Sequence, residues 1–106
     1  MDVIIRLYAE LRKIFGRKEI RLPLDRDHVT VGQVIDNLLA TSSNRDEMAR
    51  LIFTSPIRAP YNVEHNTINP TLILMVNDVD ARLTEGTSTI LSDGDVLTLL
   101  PTVHGG

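Results

Sequence analysis

Thr30-Val31-Gly32-Gln33-Val34-Ile35-Asp36-Asn37-Leu38 is the stretch that decides the fold. Thr30 and Gln33 have the spacing of a capping box. The threonine hydroxyl can accept from the Gln33 N–H while the glutamine side chain reaches back to the Thr30 N–H. Val31, Val34, Ile35 and Leu38 follow at i, i+3, i+4 and i+7, one apolar stripe of an amphipathic helix. The helix should end near Thr41-Ser42-Ser43, where hydroxyl side chains compete for backbone hydrogen bonds. No other segment predicts a helix this well defined, so the rest of the core must come from strands on either side.

Upstream, Asp2 to Tyr8 alternates with a period of two, with Val3, Ile5 and Leu7 on one face and Ile4, Arg6 and Tyr8 on the other. Ala9 to Phe15 holds helix formers, with Leu11, Ile14 and Phe15 at helical spacing and Gly16 as a stop. Lys18 to Leu22 alternates again and Pro23 ends it. Downstream, a weaker helix is predicted over residues 45–53, capped by Asn44, with Met48, Leu51 and Ile52 inward. Residues 54–70 contain Pro56, Pro60 and Pro70 and no periodicity, which predicts a long loop. Leu72 to Val76 reads as a buried strand with Met75 as a core filler. Asn77-Asp78 is a turn and Val79 to Leu83 a return strand. Leu91 to Asp95 is a second turn, with Gly94 supplying positive φ. Val96 to Leu100 is the final strand, and Pro101 fixes φ and removes a donor where the chain leaves the sheet.

Strands bracketing one long helix make an α+β domain in which the helix covers one face of a small mixed sheet. The pattern suits a β-grasp fold, with about four to five strands over residues 1–100 and a tail over residues 101–106. The strand order itself rests on analogy with that fold.

Composition narrows the function. The 106 residues suffice for one domain, and the 42% hydrophobic content suffices for one core. No apolar run approaches the roughly 18 residues of a membrane span, and no secretory signal pattern is present. There is no cysteine, which excludes disulfides, thiol nucleophiles and cysteine metal sites and fits a cytoplasmic protein. His28, His65 and His104 match no zinc spacing, so no metal is expected. The net charge is −3, and residues 62–106 carry six acids against Arg82 alone. That argues against direct nucleic-acid binding and for steering toward a basic protein surface. The bland alternative is that these acids, Asp93 and Asp95 above all, serve turn chemistry.

The chain closes on Gly105-Gly106. A glycine pair after a strand puts a carboxylate on a slim stalk, which suggests the terminus itself as the reactive group. The competing reading is a frayed end. Ile4, Arg6 and Tyr8 form a candidate partner surface if their sheet face is exposed, and a covered face if the 54–70 loop lies on it.

Leu7-Tyr8-Ala9-Glu10-Leu11-Arg12, Thr30-Val31-Gly32-Gln33-Val34, Val76-Asn77-Asp78-Val79 and Leu91-Ser92-Asp93-Gly94-Asp95-Val96, with Leu100-Pro101 and Gly105-Gly106, occur in this order along the chain. The ordered set resembles the ubiquitin-like MoaD/ThiS sulfur carriers. The His104-Gly105-Gly106 ending is closer to the ubiquitin-related modifier and archaeal small modifiers.

The resemblance implies a co-substrate and not an enzyme. An E1-like adenylating enzyme of the MoaB/MoeB/ThiF type, using ATP and Mg²⁺, would adenylate the Gly106 carboxylate. A sulfur donor would then convert it to a thiocarboxylate. The sulfur would go to a pterin precursor, a thiazole precursor or a tRNA base. Molybdopterin synthesis with a molybdopterin synthase large subunit comes first among these. The alternative fate is an isopeptide bond to lysines. Gly105, His104, Val103, Thr102 and Pro101 would be the tail that enters the partner, and no cofactor would be bound by the chain itself. A third reading, a β-grasp interaction domain with an incidental Gly-Gly end, remains open.

Overall fold

The structure, a computed structural model, describes residues 1–56 and 60–102. Its centre is a five-stranded sheet. The strands in chain order are β1 (Asp2–Leu7), β2 (Glu19–Pro23), β6 (Leu72–Val76), β7 (Val79–Asp80) and β9 (Val96–Pro101). Their spatial order is β2-β1-β9-β6-β7. β1 and β9, the central pair, run parallel, and the other neighbours run antiparallel. Two short ribbons stand apart. One joins β3 (Val29–Thr30) to β8 (Ile90–Leu91), the other β4 (Phe53–Thr54) to β5 (Thr67–Ile68). The helices are α1 (Ala9–Phe15), α2 (Val31–Thr41) and α3 (Arg45–Ile52). This is the ubiquitin-like β-grasp architecture.

The capping box forms as the sequence predicts. Gln33 N–H donates to Thr30 Oγ1 at 3.1 Å, and Thr30 N–H donates to Gln33 Oε1 at 2.9 Å. Val31, Val34, Ile35 and Leu38 are buried against Val3, Ile5 and Leu7 of β1 and Leu97 and Leu99 of β9, within one core. Fully burying each such side chain contributes about 1.5–3 kcal/mol, so the α2 stripe and the central strand pair dominate stability. α1 stops at Gly16, whose φ of 87° is left-handed and whose N–H donates to Arg12 C=O at 2.9 Å. Asn77 and Asp78 take φ of 50° and 69°, the paired left-handed conformation of a tight hairpin turn.

Four expectations need correction. Asn44 stands at the N-cap of α3 but makes no side-chain cap; its Nδ2 donates instead to Ile14 C=O at 2.9 Å, tying α3 to the end of α1. The return strand stops at Asp80. The Asp80 carboxylate accepts the Arg82 N–H at 2.9 Å and turns Ala81–Leu83 into a 3₁₀ segment. Residues 54–70 are not wholly loop, since Thr67-Ile68 pairs with Phe53-Thr54. Met75 is not core filler: Leu72 and Leu74 face the core, and Met75 shares the opposite face with Ile73.

The segment around Val63 packs against α2. Val63 N–H donates to the Asp36 carboxylate at 2.8 Å, and Tyr61 Oη donates to Asp46 at 2.9 Å. A Cβ on Gly32 would stand 2.6 Å from Val63 Cγ2, so the close approach requires glycine there. This segment therefore covers the helices and not the outer face of the sheet. No helix among the described residues is long and apolar enough to cross a membrane.

Candidate functional site: the sheet end where the tail begins

Parallel pairing of β1 with β9 sets the geometry. It brings the C-terminal ends of both strands to one end of the sheet, and Tyr8 N–H donates to Leu99 C=O at 3.2 Å. β9 runs one residue beyond the predicted Leu100, because Pro101 pairs with Leu72 and is buried. Thr102 is tied down as well. Its N–H donates to Thr71 C=O at 3.0 Å and its hydroxyl donates to the same oxygen. Proline costs this edge no hydrogen bond, because the donor to Thr71 is the next residue. Val103, His104, Gly105 and Gly106 lie outside the described residues.

The candidate partner surface is the outer face of the same strands. Ile4 is half-buried and Arg6 and Tyr8 are exposed, whereas Val3, Ile5 and Leu7 are inside. Arg6 Nε pairs with Glu19 at 3.2 Å, a solvated ion pair of little energetic weight. The strand register adds residues that the sequence reading did not assign to this face. Val96 lies opposite Ile4 and Thr98 opposite Arg6. Ile73 lies opposite Leu100 and Met75 opposite Thr98. Ile4, Ile73, Met75, Val96 and Leu100 are all half-buried and make one apolar patch across three strands. The period of two in residues 72–76 and 96–100 carries the signal, but only the register shows that these positions join Ile4.

Asp93 and Asp95 are engaged at the other end of the sheet. Asp93 accepts the Asp2 N–H at 2.7 Å. Asp95 accepts the Ser92 N–H at 2.8 Å and Asn77 Nδ2 at 2.9 Å. Gly94 between them has φ of 85°. Turn chemistry accounts for these residues. Away from the sheet ends, burial and, secondarily, the nearby Glu64 raise the Asp36 carboxyl above the usual carboxylate range, although its bond from Val63 N–H pulls the other way. Arg82 holds the Asp80 carboxyl below that range.

The sequence matches the family described as Urm1 (Ubiquitin related modifier) over residues 2–106. It is 31% identical over 108 residues to ubiquitin-related modifier 1 of Saccharomyces cerevisiae, covering 100% of this chain and 99% of that protein. It is 36% identical over 110 residues to the ubiquitin-related modifier 1 homolog of Chlamydomonas reinhardtii, with the same coverage. The solution structure of small archaeal modifier protein 1 from Methanosarcina acetivorans superposes with a TM-score of 0.77 at 25% identity, covering 99% of this chain and 96% of that one.

Proposed function

The chain belongs to the ubiquitin-related modifier family, and from that premise we propose that its working group is the Gly106 carboxylate, activated by an E1-like enzyme of the MoaB/MoeB/ThiF type. A carboxylate oxygen attacks the α-phosphorus of ATP, the bond to the β-phosphate breaks, and Mg²⁺-pyrophosphate leaves. Sulfur at the hydrosulfide level, released by the donor, then attacks the acyl carbon; AMP departs and a proton is lost to solvent, leaving a thiocarboxylate. Dividing acyl transfer in this way replaces an impossible leaving group by a good one. The protein acts as co-substrate, and the partner supplies the catalytic groups.

The observation that carries this reading is the family match that continues through Gly106, joined to a strand that delivers the chain to one end of the sheet. Glycine at the last two positions admits the tail to a narrow channel without a Cβ beside the reacting carbon. The apolar patch of Ile4, Ile73, Met75, Val96 and Leu100, rimmed by Arg6 and Tyr8, is the surface that docks the activating enzyme, while the residues beyond Thr102, which is itself tied to the sheet with Pro101, enter it. The thiocarboxylate then serves a sulfur acceptor. A pterin precursor held by a molybdopterin synthase large subunit is one, and a tRNA base suits a ubiquitin-related modifier equally. The relatives named as modifiers favour a second fate, attack on the activated acyl carbon by a lysine amine.

ATP–pyrophosphate exchange by the activating enzyme tests the first step. Exchange should require the full chain and vanish when Gly105 and Gly106 are removed. Exchange that persists without them would refute the reading.

A further inference from the structure

The turn that follows α1 carries a charge pattern that the tail chemistry does not use. Arg12 and Lys13 from α1, and Arg17 and Lys18 from the turn into β2, line one open concavity of about 640 Å³ together with Ala9 and Gly16. Arg12 and Lys18 also line a second concavity of about 210 Å³, with Arg6, Tyr8 and Glu19. The two hollows therefore share a wall and form one groove. Lys13 is engaged by Glu10 at 3.2 Å and Arg6 by Glu19 at 3.2 Å. Among the described residues, Arg12, Arg17 and Lys18 have no carboxylate within ion-pair distance. Two cations in the last turn of α1 complement its dipole, which would account for Arg12 and Lys13. It does not account for Arg17 and Lys18, which lie beyond the helix.

Tyr8 is 43% exposed and sits in the second hollow between Arg6, Arg12 and Lys18. Ala9, next to it, holds a φ of 53°, a strained left-handed conformation for a residue with a Cβ. That bend turns the chain from β1 into α1 directly beneath the groove.

We propose that this groove binds single-stranded nucleic acid, with Arg12, Arg17 and Lys18 on successive phosphates and the Tyr8 ring stacked on a base. Two features favour a polynucleotide over an acidic protein. The cations line a hollow and do not lie on a flat rim. An aromatic ring among cations is the stacking platform of single-strand binders and has no such role for a carboxylate surface.

Three of the acids that weigh against nucleic acid lie far from the groove, and Glu10 and Glu19 beside it are each paired with a cation. Asp2, Asp93 and Asp95 lie at the start of β1, and Tyr8 lies beyond its end. Six strand residues separate the two ends by about 17 Å, roughly twice the Debye length at physiological salt. The groove shares its sheet end with Thr102, from which four residues can extend about 14 Å. A bound strand would therefore lie within reach of the terminus.

The test is fluorescence anisotropy of a labelled twelve-nucleotide oligouridine titrated with the full chain, between 50 and 200 mM salt, with no activating enzyme or ATP present. Its outcome is therefore independent of the tail reading. Binding should weaken with a log–log salt slope of about −2, as expected for three phosphates. Arg12→Ala with Lys18→Ala should reduce that slope by about 1.4. Tyr8→Leu should weaken binding about five- to a hundredfold, whereas Tyr8→Phe should retain it. Circular dichroism would establish that each variant is folded. No saturable binding at 50 mM salt would overturn the proposal. So would binding indifferent to Tyr8→Leu and displaced by polyglutamate at equal charge, which would make the groove a dock for an acidic protein.

Discussion

Replacing Gly32 by alanine sets two effects of known size against each other. Alanine exceeds glycine in helix propensity by about 0.8–1.0 kcal/mol in a helix interior, and less than that in a first turn. The added Cβ, however, would stand 2.6 Å from Val63 Cγ2 and 3.3 Å from the Thr87 carbonyl oxygen. Carbon atoms rest about 3.5–4.0 Å apart, so the first contact is short by roughly 1 Å. Val63 cannot swing away freely. It is β-branched and stiff at χ1, and its N–H is held by Asp36 at 2.8 Å. The Thr87 oxygen belongs to the backbone of the 3₁₀ turn Gly86–Ser88.

Overpacking of this kind costs about 1–3 kcal/mol. The net result is a loss of about 1 kcal/mol, which lowers Tm by roughly 4–8 °C in a domain of this size. Thermal unfolding of Gly32→Ala, Val63→Ala and the double variant closes the cycle. Val63→Ala should relieve most of the defect in the Gly32→Ala background, giving a favourable coupling of about 1 kcal/mol. A Gly32→Ala protein that melts above the parent, with no coupling to Val63, would refute the packing of this segment on α2.

Three further outcomes follow from local geometry. Thr30→Ala removes the hydroxyl that accepts from Gln33 N–H, leaving only the arm donated by the residue-30 backbone, and should cost about 1 kcal/mol in urea denaturation. Ala9→Gly relieves the φ of 53° and should stabilise by about 1 kcal/mol, read as a raised Tm. The folded pKa of Asp36 is raised, so its ionisation opposes folding: stability from this group is fully present below the unfolded carboxylate pKa and is lost as pH rises through the folded value. Asp36→Asn keeps an acceptor for Val63 N–H and removes the charge. It should match or exceed the parent in stability at neutral pH, with the advantage shrinking on acidification in parallel melts.

Elements with strong local signals were legible in the sequence. The α2 stripe and its cap are decided within nine residues, and β1 shows its two faces by simple alternation. The β4–β5 ribbon was not legible, because two-residue strands have no periodicity and Phe53 finds Ile68 only after the intervening residues fold back. The Leu72 to Val76 run is apolar on both faces, so composition could not reveal that Met75 points away from the core. That orientation follows from its register with Thr98, a long-range pairing. The candidate partner face was partly visible for the same reason: Ile4, Arg6 and Tyr8 lie in one local segment, but Ile73, Met75, Val96 and Leu100 join them only through the sheet. The basic groove was hidden because Tyr8 and Lys18 come together only across the connection between β1 and β2, while net charge averages over the whole surface.

The central claim is that Gly106 is an activated acyl carrier. Alanine there would place a methyl beside the reacting carbon, and a displacement of about 1 Å can cost roughly a hundredfold in rate. Intact-protein mass spectrometry after incubation with the activating enzyme, a sulfur donor, ATP and Mg²⁺, under reducing and non-acidic conditions, tests the claim most directly. The account predicts one oxygen exchanged for sulfur, located to the C-terminal peptide, and about a hundredfold slower exchange in Gly106→Ala. An unchanged mass with the full chain, or equal conversion in Gly106→Ala, would contradict it.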